Sequence, residues 1–465
     1  MQLETGDRRR QTGIGRSSDA PMSLSSRRIV FTTFGTFGDL HPYIAIALGL
    51  KARGHRVTLA TSECYRRKIG ALGLDFRPLR PDSTAWETGA EAVRRFMHLR
   101  TGTINFVKEE VMPVLRQTFE DTLVATADAD LVVSAPVTAI STRLVAEKTG
   151  IRWASSMHTP VAFLSAYDPS VLPLFPDLSK NLRFLGPGFW GPLLRLLKRS
   201  TRFLAKPWDQ FRSEIGLPRA EDDNPLFDSH SPSLVLALFS KLLADKQPDW
   251  PLQTVVTGFP IYDQDGDPAL PARLAAFLDN GLPPIVFTLG TSATLVADRF
   301  YHHSIAASKL VGRKVILVTG RNSRDLPTSL PDGMMAVDYV PFSNLFPRAA
   351  AIVHHGGVGT TALAMHGGRP MLIVPFAHDN PDNAERAGRL GIARVVSRRG
   401  YFPGHVATEL RRLLDDPSYA ERASTVGAQV RAENGVKSAC DALEGMLRGL
   451  QQQDLKCGGT SLVAA

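Results

Sequence analysis

Arg28-Ile29-Val30-Phe31-Thr32-Thr33-Phe34 is an apolar, β-rich run, and Gly35 to Pro42 is a turn containing two glycines. Tyr43 to Arg53 then reads as a helix closed by Gly54, and Val57 to Ala60 is β-rich again. Strand, turn, helix and strand within about thirty residues form a βαβ unit, which builds a parallel sheet. Helices cover both faces of such a sheet, so its strands need no polar alternation. Antiparallel sandwiches and helical bundles are excluded at this point.

The same grammar continues through Leu131–Ser134, a helix from Ala139 to Thr149, Arg152–Ser155 and Leu234–Phe239. A second series follows: Ile285–Gly290, a helix from about Val296 to Leu310, Val315–Gly320, Met335–Val337, Ala351–Val353, a helix from Thr360 to Met365, and Met371–Pro375. Helices are expected at Pro381–Leu390 and Pro403–Leu414, and from Tyr419 to Leu447 with a break near Asn434-Gly435. A chain of 465 residues exceeds the roughly 250–300 at which one core stops growing. The expected fold is α/β: two Rossmann-like parallel-sheet domains facing each other across a cleft. Residues 1–27 are expected to form a disordered basic arm and 28–243 the first domain. The linker is expected at 244–251, the second domain at 252–450 with its last helix packing back on the first, and a flexible tail at 451–465.

Composition narrows the function classes only a little. The chain is 43% hydrophobic and 21% charged, which is ordinary for globular proteins. Three cysteines exclude a disulfide-stapled scaffold and point to a reducing compartment. No apolar run is long enough to span a bilayer, and the arm has no apolar segment of the signal-peptide kind. The net charge is +9. It would suit an anionic substrate or an acidic membrane surface. No nucleic-acid-binding pattern accompanies it, so no nucleic-acid partner is expected. Between Pro169 and Lys206, apolar pairs such as Phe189-Trp190 and Leu196-Leu197 alternate with Arg195, Lys198, Arg199 and Arg202. This stretch reads as a helix covering the core with its basic residues solvated, or as a lipophilic mouth or membrane-facing patch.

The sharpest local signal is Ile352-Val353-His354-His355-Gly356-Gly357-Val358-Gly359-Thr360-Thr361. A strand ends, glycines turn the chain, and a helix starts at once. Glycines allow close backbone approach to an anion, and free N–H groups at the helix start provide donors. The pattern is neither Walker A nor the dinucleotide fingerprint. It reads as a diphosphate cradle or as a tight strand–helix turn. Pro375 to Ala384 contains Asp379-Asn380, whose carboxylate and amide could bind vicinal hydroxyls; the alternative is that Asp379 or Asp382 caps the following helix. A zinc site among His354, His355, His378 and Asp379 lacks ligand spacing, so no metal is expected.

These motifs resemble a GT-B glycosyltransferase of the family-1, UDP-glycosyltransferase type, closest to the bacterial and the sterol or rhamnolipid-forming members. The resemblance spans Arg28 to Leu447. It implies an N-terminal acceptor domain, a C-terminal nucleotide-sugar domain, and transfer of a hexose with inversion from a UDP- or dTDP-sugar to a hydroxyl of a lipophilic or phenolic acceptor. It implies no permanently bound cofactor and no metal. His355, Gly356, Gly357 and Gly359 match the diphosphate-binding loop, and Thr360 matches the hydroxyl that completes it. Asp379-Asn380 matches the Asp/Glu-Gln pair on the sugar, with Asn shorter by one methylene. Thr291-Ser292 resembles the first phosphate-approaching loop. Val340-Pro341 resembles the base-binding loop, but without the tryptophan of plant enzymes.

In the first domain, Asp39 stands where most plant and animal relatives carry the catalytic histidine, and Ser134 stands near the place of its supporting Asp. Asp39 is therefore the candidate general base, with a helix-capping role as the alternative and His41 in reserve. His158, Phe37, Phe163, Phe189 and Trp190 are candidates for acceptor contacts. The corresponding location is cytoplasmic, with peripheral contact at the inner membrane face. The competing functions are an inactive accessory or binding protein of the same fold and a UDP-sugar epimerase.

Overall fold

The computed structural model describes residues 25–458 except 82–88, 136–139, 174, 221–223, 263–269, 292, 321–325 and 328, with side chains described up to 449. Ser292, the arm to residue 24 and the tail from 459 lie outside the described residues.

Two all-parallel sheets organise the chain. The first contains β1 (Arg28–Thr32), β2 (Arg56–Thr61), β3 (Asp75–Pro78), β4 (Leu131–Ser134), β5 (Trp153–Met157), β6 (Val235–Ala237) and β7 (Thr254–Val256), in the spatial order β3-β2-β1-β4-β5-β6-β7. The second contains β8 (Ile285–Thr288), β9 (Val315–Val318), β10 (Met334–Val337), β11 (Ala351–His354), β12 (Met371–Ile373) and β13 (Ala393–Val395), ordered β10-β9-β8-β11-β12-β13. Both sheets reverse direction beside their first strand, between β1 and β4 and between β8 and β11. Open α/β sheets bind ligands at such a switch point, outside the carboxyl ends of the strands. Strand residues such as Ile29, Phe31, Val286 and Phe287 are fully buried, which explains the missing polar alternation.

Three sequence expectations are corrected. The linker lies later than 244–251: Ala244 and Trp250 are buried, and β7 pairs with β6 as the edge of the first sheet. Polar residues around a three-residue edge strand had read as a connection. The first helix begins at Phe37, not Tyr43, and carries Pro42 inside it. Thr36 caps it, so the expected turn is already helical where Asp39 sits. The last helix runs Gly435–Gly458, into the segment read as a flexible tail.

That last helix crosses back onto the first domain. Ala439, Cys440, Leu443 and Leu447 share a core with Phe31, Ile44 and Leu50. Contact is close enough that a Cβ on Gly49 would lie 2.7 Å from Val436 Cγ1 and 3.0 Å from Cys440 Sγ. In return, Val93 and Met97 of the first domain enter the core of the second beside Leu289 and Val296. The amphipathic stretch forms helices Pro176–Leu182 and Gly186–Ser200. It buries Trp190 and Leu194 but leaves Phe184, Phe189, Leu196 and Phe203 exposed among cations. No helix among the described residues is long and apolar enough to cross a membrane.

Candidate functional site

β11 delivers His354 and His355 to the switch point, where the chain turns on Gly356 at φ +91° and enters the helix Val358–His366. No side chain caps that helix, so its first N–H groups point outward as donors, with the positive end of the helix dipole behind them. His355 is buried, and its Nδ1 has no hydrogen-bond partner. Its ring is packed between two glycines. A Cβ on Gly290, which follows β8 at φ +62°, would lie 2.6 Å from His355 Cε1, and one on Gly357 would collide with Nε2. Gly290 is therefore required by the imidazole as well as by its positive φ, and Gly357 by the imidazole alone. Burial lowers the His355 pKa to about 4, so the ring is neutral at pH 7 and offers an N–H to an anion.

Thr360 sits in the first turn of the helix, largely buried, whereas the Thr361 hydroxyl is spent on the Gly357 carbonyl at 3.0 Å. Gly359 shares that turn, and Thr291 lies exposed just past Gly290. Val340 is only 1% exposed and belongs to the core. The neighbouring Tyr339 is half exposed instead, an aromatic face at the same loop that the sequence reading passed over.

The second loop leaves β12 and turns at His378, which has a positive φ of 55°. Asp379 accepts from Asn383 Nδ2 at 2.7 Å, and the same amide donates to the Gly356 carbonyl at 2.9 Å. Asn383 thus ties the two loops together, a role visible in sequence only as one more residue of the motif. Asn380 faces inward. Its Oδ1 accepts from Ala377 N–H at 3.2 Å and its Nδ2 donates to Asp379 Oδ1 at 3.2 Å. The two oxygens of Asp379 are thus held by the amides of Asn380 and Asn383.

Across the cleft, Asp39 occupies the third position of a capping box. Its Oδ2 accepts from Thr36 N–H at 2.9 Å and from the Thr36 hydroxyl at 3.2 Å. The capping reading of Asp39 is therefore met: its Oδ2 holds the helix start. Burial raises its pKa to about 6, against the pull of the Thr36 bonds. Asp379 is also raised to about 6, by burial first and by the charges of Asp39 and Asp382 after it. The carboxylates of opposite domains therefore sense each other.

Behind Asp39, Tyr43 is fully buried in the core shared with the last helix, and its hydroxyl lies 2.7 Å from Ser156 Oγ. His158 meets the Tyr43 ring edge-on at 5.4 Å, and burial lowers its pKa to about 4. Ser134 accepts from the Trp153 indole at 2.8 Å, a structural bond. His41 lies stacked on Phe37 at 4.8 Å and edge-on to Tyr262 at 5.3 Å. Phe37 also meets Tyr65 at 5.5 Å. The reserve base and this acceptor candidate thus share an aromatic cluster packed against the core shared with the last helix. Phe163 stacks on Trp250 at 3.9 Å inside the core, and Trp190 is 1% exposed. Both rings are packed among other side chains. Phe189 remains exposed. Among the described residues no three His, Cys, Asp or Glu side chains are grouped as metal ligands.

Two parallel-sheet domains with their switch points opposed and an uncapped glycine–histidine cradle at the second one define the GT-B class. Residues 29–160 match the glycosyltransferase family 28 N-terminal domain, and residues 303–444 match the erythromycin biosynthesis protein CIII-like C-terminal domain. O-mycaminosyltylonolide 6-deoxyallosyltransferase of Streptomyces fradiae is 32% identical over 433 residues, covering 90% of this chain and 97% of that protein. The glycosyltransferase of kitacinnamycin has a similar structure (TM-score 0.67, 21% identity, 91% of this chain and 100% of the other). So does glycosyltransferase VinC in complex with dTDP (TM-score 0.63, 21% identity, 90% and 100%). The chain belongs to the GT-B glycosyltransferases, among the relatives of bacterial natural-product glycosyltransferases.

Proposed function

We propose that this protein transfers a hexose, with inversion, from a nucleoside diphosphate sugar to a hydroxyl of a lipophilic natural-product acceptor. The observation that carries the proposal is the uncapped start of the helix Val358–His366 beside His355, a buried imidazole whose Nδ1 lacks a hydrogen-bond partner. The diphosphate would accept from the helix N–H groups and His355, and Asp379 would hold sugar hydroxyls. Asp39, ionised above pH 6, would take the acceptor proton as the new C1–oxygen bond forms on the face opposite the departing diphosphate. Negative charge developing on that leaving group is met by fixed dipoles rather than by a required metal.

Tyr339 offers a ring for the base to stack on. The dTDP bound by VinC and the 6-deoxyallosyl transfer named for the Streptomyces fradiae relative favour a dTDP-sugar over UDP-glucose. The exposed Phe184, Phe189, Leu196 and Phe203 near Arg195 and Arg199 support peripheral contact with an anionic membrane face. Co-sedimentation with vesicles with and without anionic lipid tests that contact.

The test of the main proposal is a mass-spectrometric screen of dTDP- and UDP-sugars against polyketide, sterol and phenolic acceptors, with the anomeric configuration of any product read by NMR. A glycosylated acceptor of inverted configuration is expected. A rearranged sugar without acceptor product would instead indicate an epimerase, and stimulation of another transferase without turnover would indicate an accessory protein.

A further inference from the structure

The helix Asn380–Arg389 carries the proposed sugar subsite at its start, and the first domain holds it from one turn further along. Arg386 is 2% exposed. It donates through Nε to Asp382 of its own helix at 2.7 Å and through Nη1 to Asp168 of the first domain. It also reaches the Leu243 carbonyl at 3.3 Å and Ser170 Oγ at 3.3 Å. Asp382 is 1% exposed and accepts at its other oxygen from Val171 N–H at 2.9 Å. Arg183 and Arg389 complete the surroundings of Asp168. The loop bearing Asp168 is itself pinned: Ser165 Oγ and Ala166 N–H donate to Asp249 at 2.6 and 2.7 Å. That loop follows β5.

Buried ion pairs are weak evidence for stability, and their best-attested use is to fix a register between elements. A guanidinium fork sets both distance and angle, as a flexible ammonium would not. One carboxylate from each domain shares the same guanidinium here, and a backbone N–H of the first domain closes the second carboxylate. The helix can then neither rotate nor slide against the acceptor domain. We propose that Asp168 is a positioning residue for the donor sugar: through Arg386 and Asp382 it orients the Asn380–Arg389 helix and so aims Asp379 and Asn383. The inference rests on reading residues 377–383 as the sugar subsite. The anion cradle stands on a different helix, Val358–His366, joined to this one by the Asn383–Gly356 bond, so the nucleotide should sense Asp168 far less than the attached sugar does.

The experiment measures dTDP affinity by calorimetry, together with kcat and KM for the dTDP-sugar, in wild type and in Asp168→Asn, Asp168→Glu and Arg386→Lys. For Asp168→Asn, dTDP affinity should stay within about twofold of wild type. Its kcat/KM for the nucleotide sugar should fall about 10²-fold, the scale of a misplacement near 1 Å, and Asp168→Glu should recover most of the loss. If the Asn variant does not fold, Arg386→Lys reads the same split, because it keeps the charge and loses the fork. Parallel loss of dTDP and dTDP-sugar binding would overturn the proposal, since the pair would then only hold the interface. Unchanged kcat/KM would overturn it as well. A wild-type protein that binds dTDP but gains nothing from the attached sugar would overturn the subsite reading itself, and the inference with it.

Discussion

Asp39 caps the first helix and is the proposed general base, and one substitution separates the two roles. Asp39→Asn keeps an oxygen for Thr36 but cannot accept a proton. Turnover should fall about 10²–10⁴-fold while dTDP affinity holds, as kinetics and calorimetry on one preparation would show; near-normal turnover would remove the base assignment. Stability should move the other way. The folded pKa of Asp39, about 6, lies above its ordinary 3.8. Its contribution is therefore most favourable below pH 4 and is lost as pH rises through 6. At pH 8 the Asn variant should be more stable than wild type, by roughly 1–2 kcal/mol, seen as a higher Tm that disappears near pH 4. The same titration predicts an acid limb near pH 6 in wild-type kcat/KM. Because Asp379 titrates with Asp39, that limb belongs to the pair. His355→Ala should weaken dTDP binding by about 1.5–3 kcal/mol, the range for a hydrogen bond to a charged group. Unchanged affinity would move the cradle elsewhere.

At the scale of elements, the glycines around His355 make a prediction that a turn argument alone would not. Gly290→Ala puts a Cβ 2.6 Å from the ring at a φ of +62°, so nucleotide binding should fall as it does in His355→Ala while the far-UV circular dichroism stays native. Gly49→Leu should force the last helix off the first domain. A Tm loss equivalent to about 1–3 kcal/mol is expected from overpacking, with little effect if the helix docks loosely. Most strands were legible because buried parallel strands are continuous apolar runs. β3, β7 and β13 were not, being three or four residues long and partly exposed. The early helix start was hidden by Pro42, which suggests a loop, although Thr36 and Asp39 already spelled a capping box.

For the whole molecule, the two domains are held by the returning helix, by Val93 and Met97 entering the second core, and by the cluster at Asp168. Exhaustive EDTA treatment should leave transferase activity intact, since phosphate charge is assigned to the helix start and His355. Complete loss restored only by manganese or magnesium would contradict that assignment.

The sequence by itself determined the architecture, because βαβ grammar permits only a parallel sheet and two series of it exceed one core. It also made the candidate cradle legible, because His355 and its glycines are contiguous along the chain. Tertiary structure decided the rest. Whether a ring is exposed or packed depends on contacts that no local pattern encodes: Phe163 and Trp190 are buried, whereas Phe189 stays exposed. The Asp39–Asp379 coupling and the Asp168–Arg386 pair join residues hundreds of positions apart. They exist only because two sheets with the same switch-point geometry are packed face to face.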